Sequence, residues 1–385
     1  MFSRQNLRSR RIISLSLLAV VFATPGARAL QQTVPATSAT APVRVAIVGL
    51  VHDHIAGFLG EIPKHPSVEL VAIVEPDQAL VEKYSAKFHL RRALFFTDLD
   101  TMLRDKKPDA VLVYTTILAH RHVIEEAAKF GASSMVEKPL STTLADALAI
   151  RQAARDHHVN VLVNYETTWY ASNLAAYNEV HDGKLGEVRR VVVHDGHRGP
   201  QELGVSQDFL RWLTDPHQNG AGALFDFGCY GADLMTWIMQ GQPPLSVTAV
   251  TQTDKPQIYP KVDDEATVIL RYPRAQAVLQ ASWNWPFDRK DMEVYGATGY
   301  AITVGKSALR LRLAGETEES KVDSPPLTPP ENDSLNYLVG VMRGEIQPKG
   351  DLSSLDTNIV VMQILDAARE SAWLGRTIEI KPLPQ

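Results

Sequence analysis

From Val43 onward, short apolar runs rich in β-branched residues alternate with stretches of helical spacing. VRVAIVG (43–49), ELVAIVE (69–75), DAVLVYTT (109–116), SSMVEKP (133–139) and NVLVNY (160–165) read as strands. Segments 77–88, 120–130 and 142–157 between them place apolar residues on one helical face, as Leu144, Ala147 and Leu148 do. Strands apolar on both faces and joined by helices predict an α/β fold with a doubly wound parallel sheet over residues 43–164.

Beyond about residue 165 the rhythm changes. One helix near 170–182 leads into longer strands, most with no helix between them: EVRRVVVHDG (187–196), LSVTAVTQ (245–252), EATVILRYP (265–273), AQAVLQASWNW (275–285) and DMEVYGATGYAITVG (291–305). Turn signals at Tyr272-Pro273-Arg274 and Gly296-Ala297-Thr298-Gly299 predict a large, mostly antiparallel sheet. A second, α+β domain over 165–385 follows, with a proline-rich connection at 324–333 and helices near 334–343 and 353–374.

With 385 residues, 45% hydrophobic and 22% charged, the chain suits two packed domains. A net charge of -5 without acidic or basic runs argues against nucleic acid or an anionic membrane surface as partner and leaves small molecules. The single cysteine, Cys229, excludes an internal disulfide and reads as a buried thiol. Residues 1–29 carry Arg4, Arg8, Arg10 and Arg11, an apolar run from Ile12 to Ala23, and Ala27-Arg28-Ala29 in the small-x-small form of a cleavage site, so they read as an export signal. Ser9-Arg10-Arg11-Ile12-Ile13 resembles a twin-arginine signal, and the folded and unfolded export routes both stay open. Residues 30–42 read as a flexible arm; no later run approaches the length of a membrane span, and the expected location is the bacterial periplasm.

In a doubly wound sheet, ligands lie across the carboxyl ends of the strands. After the first strand stands Gly49-Leu50-Val51-His52-Asp53-His54, where a dinucleotide loop shows GxGxxG; only the first glycine is present. His52 or His54 could donate to phosphate oxygens instead, while a metal held by this pair is not expected because no third ligand is evident. Glu75 ends the second strand where an acidic side chain would accept from ribose hydroxyls, and Pro76-Asp77 after it gives no welcome to a 2'-phosphate, favouring NAD over NADP.

The fifth strand ends in Glu137-Lys138-Pro139. Together with VRVAIVG, Gly183-Lys184-Leu185-Gly186-Glu187, the stretch 220–233, Gly296-Ala297-Thr298-Gly299 and SAWLGRTIEI, this resembles the glucose-fructose oxidoreductase, inositol dehydrogenase and rhizopine catabolism (Gfo/Idh/MocA) family over nearly the whole chain after residue 42. The resemblance implies a Rossmann domain binding NAD(P) and a sugar or polyol as substrate. Gly49, His52, His54, Glu75, Thr115 and Glu137 are read as lying on the cofactor side with Lys138, which the resemblance puts beside nicotinamide and substrate alike. His120 matches a family histidine and reads as structural.

In the family, the stretch around 226–233 commonly carries Asp and, four residues on, His as the proton-transferring group; here these are Asp226 and Tyr230. Tyrosine in that place is similar to the glucose-fructose oxidoreductase and dihydrodiol dehydrogenase branches. A phenol needs help to act near neutrality, and Lys138 is expected to favour its phenolate. A helix beginning near Asp226 would put Asp226, Tyr230 and Asp233 on one face. Tyr165, Glu166, Trp169, His194, His197 and Trp283 are candidate sugar contacts, and the open face of the second sheet is expected to mate with another copy.

Export, with free NAD(H) not recycled outside the cytoplasm, implies a cofactor held through the catalytic cycle. Three readings satisfy the residues: an oxidoreductase reset by a second substrate, an NAD-dependent glycosidase working by oxidation and elimination, and a sugar-binding protein that lost catalysis.

Overall fold

Six strands build the first sheet of the computed structural model, which describes residues 41–383: β1 (Val43–Val48), β2 (Val68–Val74), β3 (Phe95–Phe96), β4 (Ala110–Val113), β5 (Ser133–Glu137) and β6 (Val161–Asn164). They run parallel in the order β3-β2-β1-β4-β5-β6, the dinucleotide-fold order whose reversal opens a crevice between β1 and β4. The expected export signal and all but the last two residues of the expected arm lie outside the described residues.

Local chemistry sets the helices between these strands. Asp77 accepts from the Ala79 amide to start the Gln78–Phe88 helix, and Thr143 accepts from Asp146 to start Leu144–His157. The edge strand β3 escaped the sequence pattern because it is two residues long.

The second sheet has nine strands: β7 (Val188–Gly196), β8 (Ser246–Gln252), β9 (Glu265–Arg271), β10 (Gln276–Ser282), β11 (Arg289–Gly296), β12 (Tyr300–Val304), β13 (Ala308–Arg312), β14 (Ser320–Asp323) and β15 (Ile378–Glu379), in the order β14-β13-β12-β11-β7-β10-β9-β8-β15. All neighbours are antiparallel except β7 and β10, which run parallel because the helical stretch 200–238 crosses over between them. The three strands absent from the sequence expectation, β13 to β15, are short outer strands with much exposed polar surface, as in Ser320–Asp323.

Helices Gly228–Ile238 and Leu355–Leu374 cover one face of this sheet. Every residue of Gly228–Ile238 is buried, and Gly231 lets it lie against β10, since a Cβ there would come within 3.0 Å of Leu279. The uncovered face, where a second copy is expected, presents Val250 and Ile269 to solvent. The start of the long C-terminal helix also completes the first sheet: Val163 donates to Ser353 O at 2.9 Å and Leu162 bridges Ser354 beside the edge strand β6. Among the described residues, no helix is long and apolar enough to cross a membrane.

Gly49 ends β1 at φ 86°, and a Cβ there would fall 2.7 Å from Thr115 Cγ2 and 2.9 Å from the Tyr114 carbonyl oxygen. Positive φ and steric overlap together cost about 2–4 kcal/mol. Gly49→Ala should therefore lower unfolding free energy by roughly that amount in urea denaturation; an unchanged midpoint and slope would show that the β1 and β4 loops do not need this close approach.

Candidate active site

At the end of β5, Lys138 turns across to the second domain. It is 6% exposed, and its ammonium donates to Asp226 Oδ1 at 2.5 Å and to the Asp226 carbonyl at 2.9 Å. Asp226 Oδ2 in turn accepts from the Trp283 indole at 2.9 Å. Burial opposes both charges, but each holds the other: Lys138 titrates above the ordinary lysine value and Asp226 below the ordinary carboxylate value. Lys138 is therefore an ammonium at neutral pH, a donor and not a base.

The helix does not begin at Asp226. A short turn, Ala223–Asp226, ends there, and Gly228–Ile238 starts after a break at Phe227. The break frees Asp226 to face Lys138, whereas Asp233 goes to the interior, fully buried with neither carboxylate oxygen hydrogen-bonded. Tyr230 lies on the first turn of the new helix with its ring 5.2 Å from Lys138 Nζ and 5.3 Å from Lys290 Nζ. These contacts are to the ring face, as cation–π pairs. Burial pushes the Tyr230 phenol well above its usual value, so the expectation that Lys138 favours a phenolate is corrected: Tyr230 stands here as a neutral phenol.

A cavity of about 630 Å³ opens beside this group, lined by His54, Glu137, Asn164, Glu166, Trp169 and Tyr230 and extending along the Ile55–Glu61 helix to Asp333. Lys138 is not part of this lining but adjoins it, next to Glu137 in sequence and with Nζ 5.2 Å from the Tyr230 ring. Of the expected sugar contacts, Glu166 and Trp169 line the cavity. Burial would raise the Glu166 pKa, but Lys290 and Lys306 hold it down at about 2, and the Trp169 indole donates to Asn164.

The other expected contacts are displaced. Tyr165 is fully buried, donating to Asn358 at 2.9 Å and meeting the Tyr230 ring edge-on, so it backs the site without facing it. Trp283 is fully buried and serves Asp226. His197 packs edge-on against Phe227 and accepts from the Gly199 amide. His194 points to the uncovered sheet face, paired with Asp291 at 2.9 Å.

Strand alternation accounts for the displacement of His194 and exposes a residue that sequence reasoning missed. Val191, Val193 and Asp195 share the covered face of β7, and Asp195 sits opposite Lys290 of β11 in register. Asp195 is 1% exposed, both its oxygens lack a partner, and burial pushes its carboxyl well above the usual range against the pull of Lys290 and Lys138. Lys290 could not be found from local spacing, because it meets Tyr230 and Glu166 only through this register. His120 is structural as expected: fully buried, it heads the helix His120–Lys129, and burial lowers its pKa to about 4. Cys229 is a buried free thiol.

The dinucleotide-side residues fall at the carboxyl ends of the parallel strands, with two departures. Glu75 follows β2 but is 3% exposed, with one oxygen accepting from the Leu50 amide at 2.8 Å and the other from Asp77 at 2.9 Å; its carboxylate organises the loop. His52 does not reach outward. It is 1% exposed and packed against Phe209, Trp212 and Tyr114, where burial lowers its pKa well below the usual value. Thr115 donates to its neighbour's carbonyl at the end of β4.

His54 is open to the cavity, its Nδ1 3.1 Å from Glu137 Oε2. Glu137 is thus a third possible ligand beside the histidine pair, which removes the sequence argument against a metal here. Across this loop lies a stretch of the second domain: the Ser206 amide donates to Asp53 at 2.7 Å and the Trp212 indole to the Val51 carbonyl at 3.3 Å. Sheet order, Glu75 and Lys138 fit a bound NAD; the loop departs from the usual pattern in having its Leu50, His52 and His54 amides committed within the protein.

Comparison with known proteins agrees with this architecture. The chain is 23% identical over 338 residues to D-apiose dehydrogenase of Paraburkholderia graminis, covering 82% of this chain and 84% of that one. It is 21% identical over 229 residues to trans-1,2-dihydrobenzene-1,2-diol dehydrogenase of Macaca fuscata fuscata, 60% of this chain and 64% of that enzyme, so the match spans less than two thirds of the latter's length. The structure of aldose-aldose oxidoreductase from Caulobacter crescentus, complexed with glycerol, superposes with a TM-score of 0.74 at 22% identity over 88% of this chain and 99% of the other. Residues 43–165 match the oxidoreductase-family NAD-binding Rossmann fold and residues 174–302 the GFO/IDH/MocA C-terminal domain, and with both halves matched the chain belongs to the Gfo/Idh/MocA oxidoreductase family.

Proposed function

We propose that the protein is an exported NAD-dependent oxidoreductase that acts on a CH–OH group of a sugar or polyol and keeps its cofactor bound through the cycle. The observation that carries this reading is the buried Lys138–Asp226 pair beside Tyr230, at the point where the carboxyl end of β5 meets the cavity. NAD supplies hydride acceptance when bound. Two of the three Lys138 donors go to Asp226, and the third is assigned to the reacting hydroxyl, where an ammonium stabilises alkoxide character as hydride leaves. Tyr230, a phenol in the resting site, is assigned the proton transfer: it donates its proton to the oxygen when a bound carbonyl is reduced, and in the oxidative direction it must first release that proton to solvent through the cavity before it can take the one on the substrate hydroxyl. Trp169 offers an apolar face and Glu166 with Asn164 a polar rim, a combination suited to a sugar.

The stretch around Ser206 and Trp212, laid across the loop 49–54, supports slow cofactor exchange, since it would have to lift for a nucleotide to leave. The named activities of the diol, apiose and aldose enzymes agree with a polyol substrate. The basic and apolar segments of residues 1–29 support export.

Expressed with its full leader, the protein should be recovered beginning after Ala29 and, on denaturation, release NAD detectable by absorbance and mass spectrometry. A protein that emerges empty and also fails to bind added NAD or NADP sinks the oxidoreductase reading. Offered aryl glycosides, release of aglycone without net reduction would instead identify cleavage by oxidation and elimination.

Lys138→Met and Tyr230→Phe should each lower kcat about 10²–10⁴-fold with the circular dichroism spectrum preserved; full activity in either refutes its role. Asp226→Asn should leave burial as the dominant influence on Lys138. Because the folded Lys138 pKa lies above its unfolded value and that of Asp226 below its own, the pair stabilises the fold fully between the ordinary carboxylate and ordinary lysine values; it loses this contribution as pH rises through the raised lysine value or falls through the depressed carboxylate one. The variant should thus lose about 3–5 kcal/mol at neutral pH and shift the alkaline limb of the kcat profile to lower pH; an unmoved limb would show that Asp226 does not hold the proton on Lys138.

A further inference from the structure

The hydride-transfer reading gives no work to the histidines of the loop 49–54. His52 packs among aromatic rings, its ring centroid 4.7 Å from that of Phe209 and 5.4 Å from that of Trp212; the bond its Nδ1 accepts from the His54 amide is long, at 3.3 Å, and this nitrogen would exchange it for an ion. His54 stands half-exposed on the cavity wall, and Glu137 arrives from the end of β5 with only 3% of its surface exposed. One donor atom from each of the three residues lies within 4.8 Å of the other two.

We propose that His52, His54 and Glu137 form a binding site for a divalent transition-metal ion of the zinc, iron(II) or manganese(II) class. Two imidazoles and one carboxylate are the ligand set such ions take with positions left open, whereas magnesium and calcium prefer oxygen alone. Ligands each about 2.1 Å from a common ion stand roughly 3.0–3.4 Å from one another. The 3.1 Å between His54 Nδ1 and Glu137 Oε2 already meets this spacing, and their hydrogen bond spans the place where the ion would enter.

The surroundings orient the set as outer partners do in metal centres. Glu137 Oε1 accepts from Asn164 Nδ2 at 3.2 Å, which leaves Oε2 turned to His54, and Asn164 is itself held by the Trp169 indole. The loop is pinned at its other end by the Leu50 amide on Glu75 and the His52 amide on the Tyr114 carbonyl. Lys138, the nearest cation in sequence, is turned away onto Asp226. The open positions of the ion face the cavity through His54 and Glu137, so the ligand class it would take is a pair of adjacent oxygens, as in a vicinal diol or a hydroxy-ketone. This site stands whether or not the hydride-transfer reading holds.

The test uses the untagged full chain, stripped with EDTA and titrated calorimetrically with zinc and manganese, with stoichiometry read by elemental analysis after gel filtration. One ion per chain is expected. His54→Ala, at an exposed position that should not disturb folding, and Glu137→Gln should each weaken binding at least about 10-fold, while His194→Ala on the opposite sheet face should leave it unchanged. Absence of stoichiometric binding by the stripped wild-type chain, or wild-type affinity in folded His54→Ala, overturns the proposal and leaves the pair as an imidazole–carboxylate hydrogen bond.

Discussion

The ion pair between Lys138 and Asp226 constrains the rest of the site because neither member could be buried alone. An isolated charge taken out of water costs several kcal/mol even after relaxation, and a facing opposite charge with satisfied hydrogen bonds offsets it. Lys138 comes from the first sheet and Asp226 from the helical crossover of the second domain. The pair therefore fixes how the two sheets meet, and with them the positions of Tyr230, Glu137 and the cavity. Trp283, fully buried on the second sheet, anchors the acidic partner. The helix break at Phe227 has the same cause: a continuous helix would have carried Asp226 round with Tyr230 and Asp233 instead of presenting it to Lys138.

Much of this was legible along the chain where the physics is local. Apolar runs marked five of the six parallel strands, and Glu137-Lys138-Pro139 marked the end of β5. What was not legible depends on register or on contacts between distant segments. His194 and Asp195 are adjacent, and polarity alone favoured the histidine; alternation on β7 sends His194 to the uncovered face and Asp195 toward the site. Tyr165 and Trp283 looked like sugar platforms because aromatic residues near a cleft often are, but packing from Asn358 and Asp226 claims both. Local spacing shows no third ligand for the histidine pair, because Glu137 lies 83 residues beyond His54 and reaches it only through the order of the strands.

The loop 49–54 shows how a site departs from its family while the scaffold stays. With two glycines replaced, its amides bond inward, and aromatic residues of the second domain pack on His52. Such a loop is stiffer than a glycine-rich one. It holds its side chains in place where the usual pattern presents bare backbone.

The extension of the first sheet by Ser353 and Ser354 concerns the chain as it is made. The outer edge of β6 acquires these partners only when residues nearly two hundred positions downstream have left the ribosome. Until then that edge offers unpaired backbone groups to any passing strand. The first sheet is thus completed by the last helix, and the two halves of the chain share one edge.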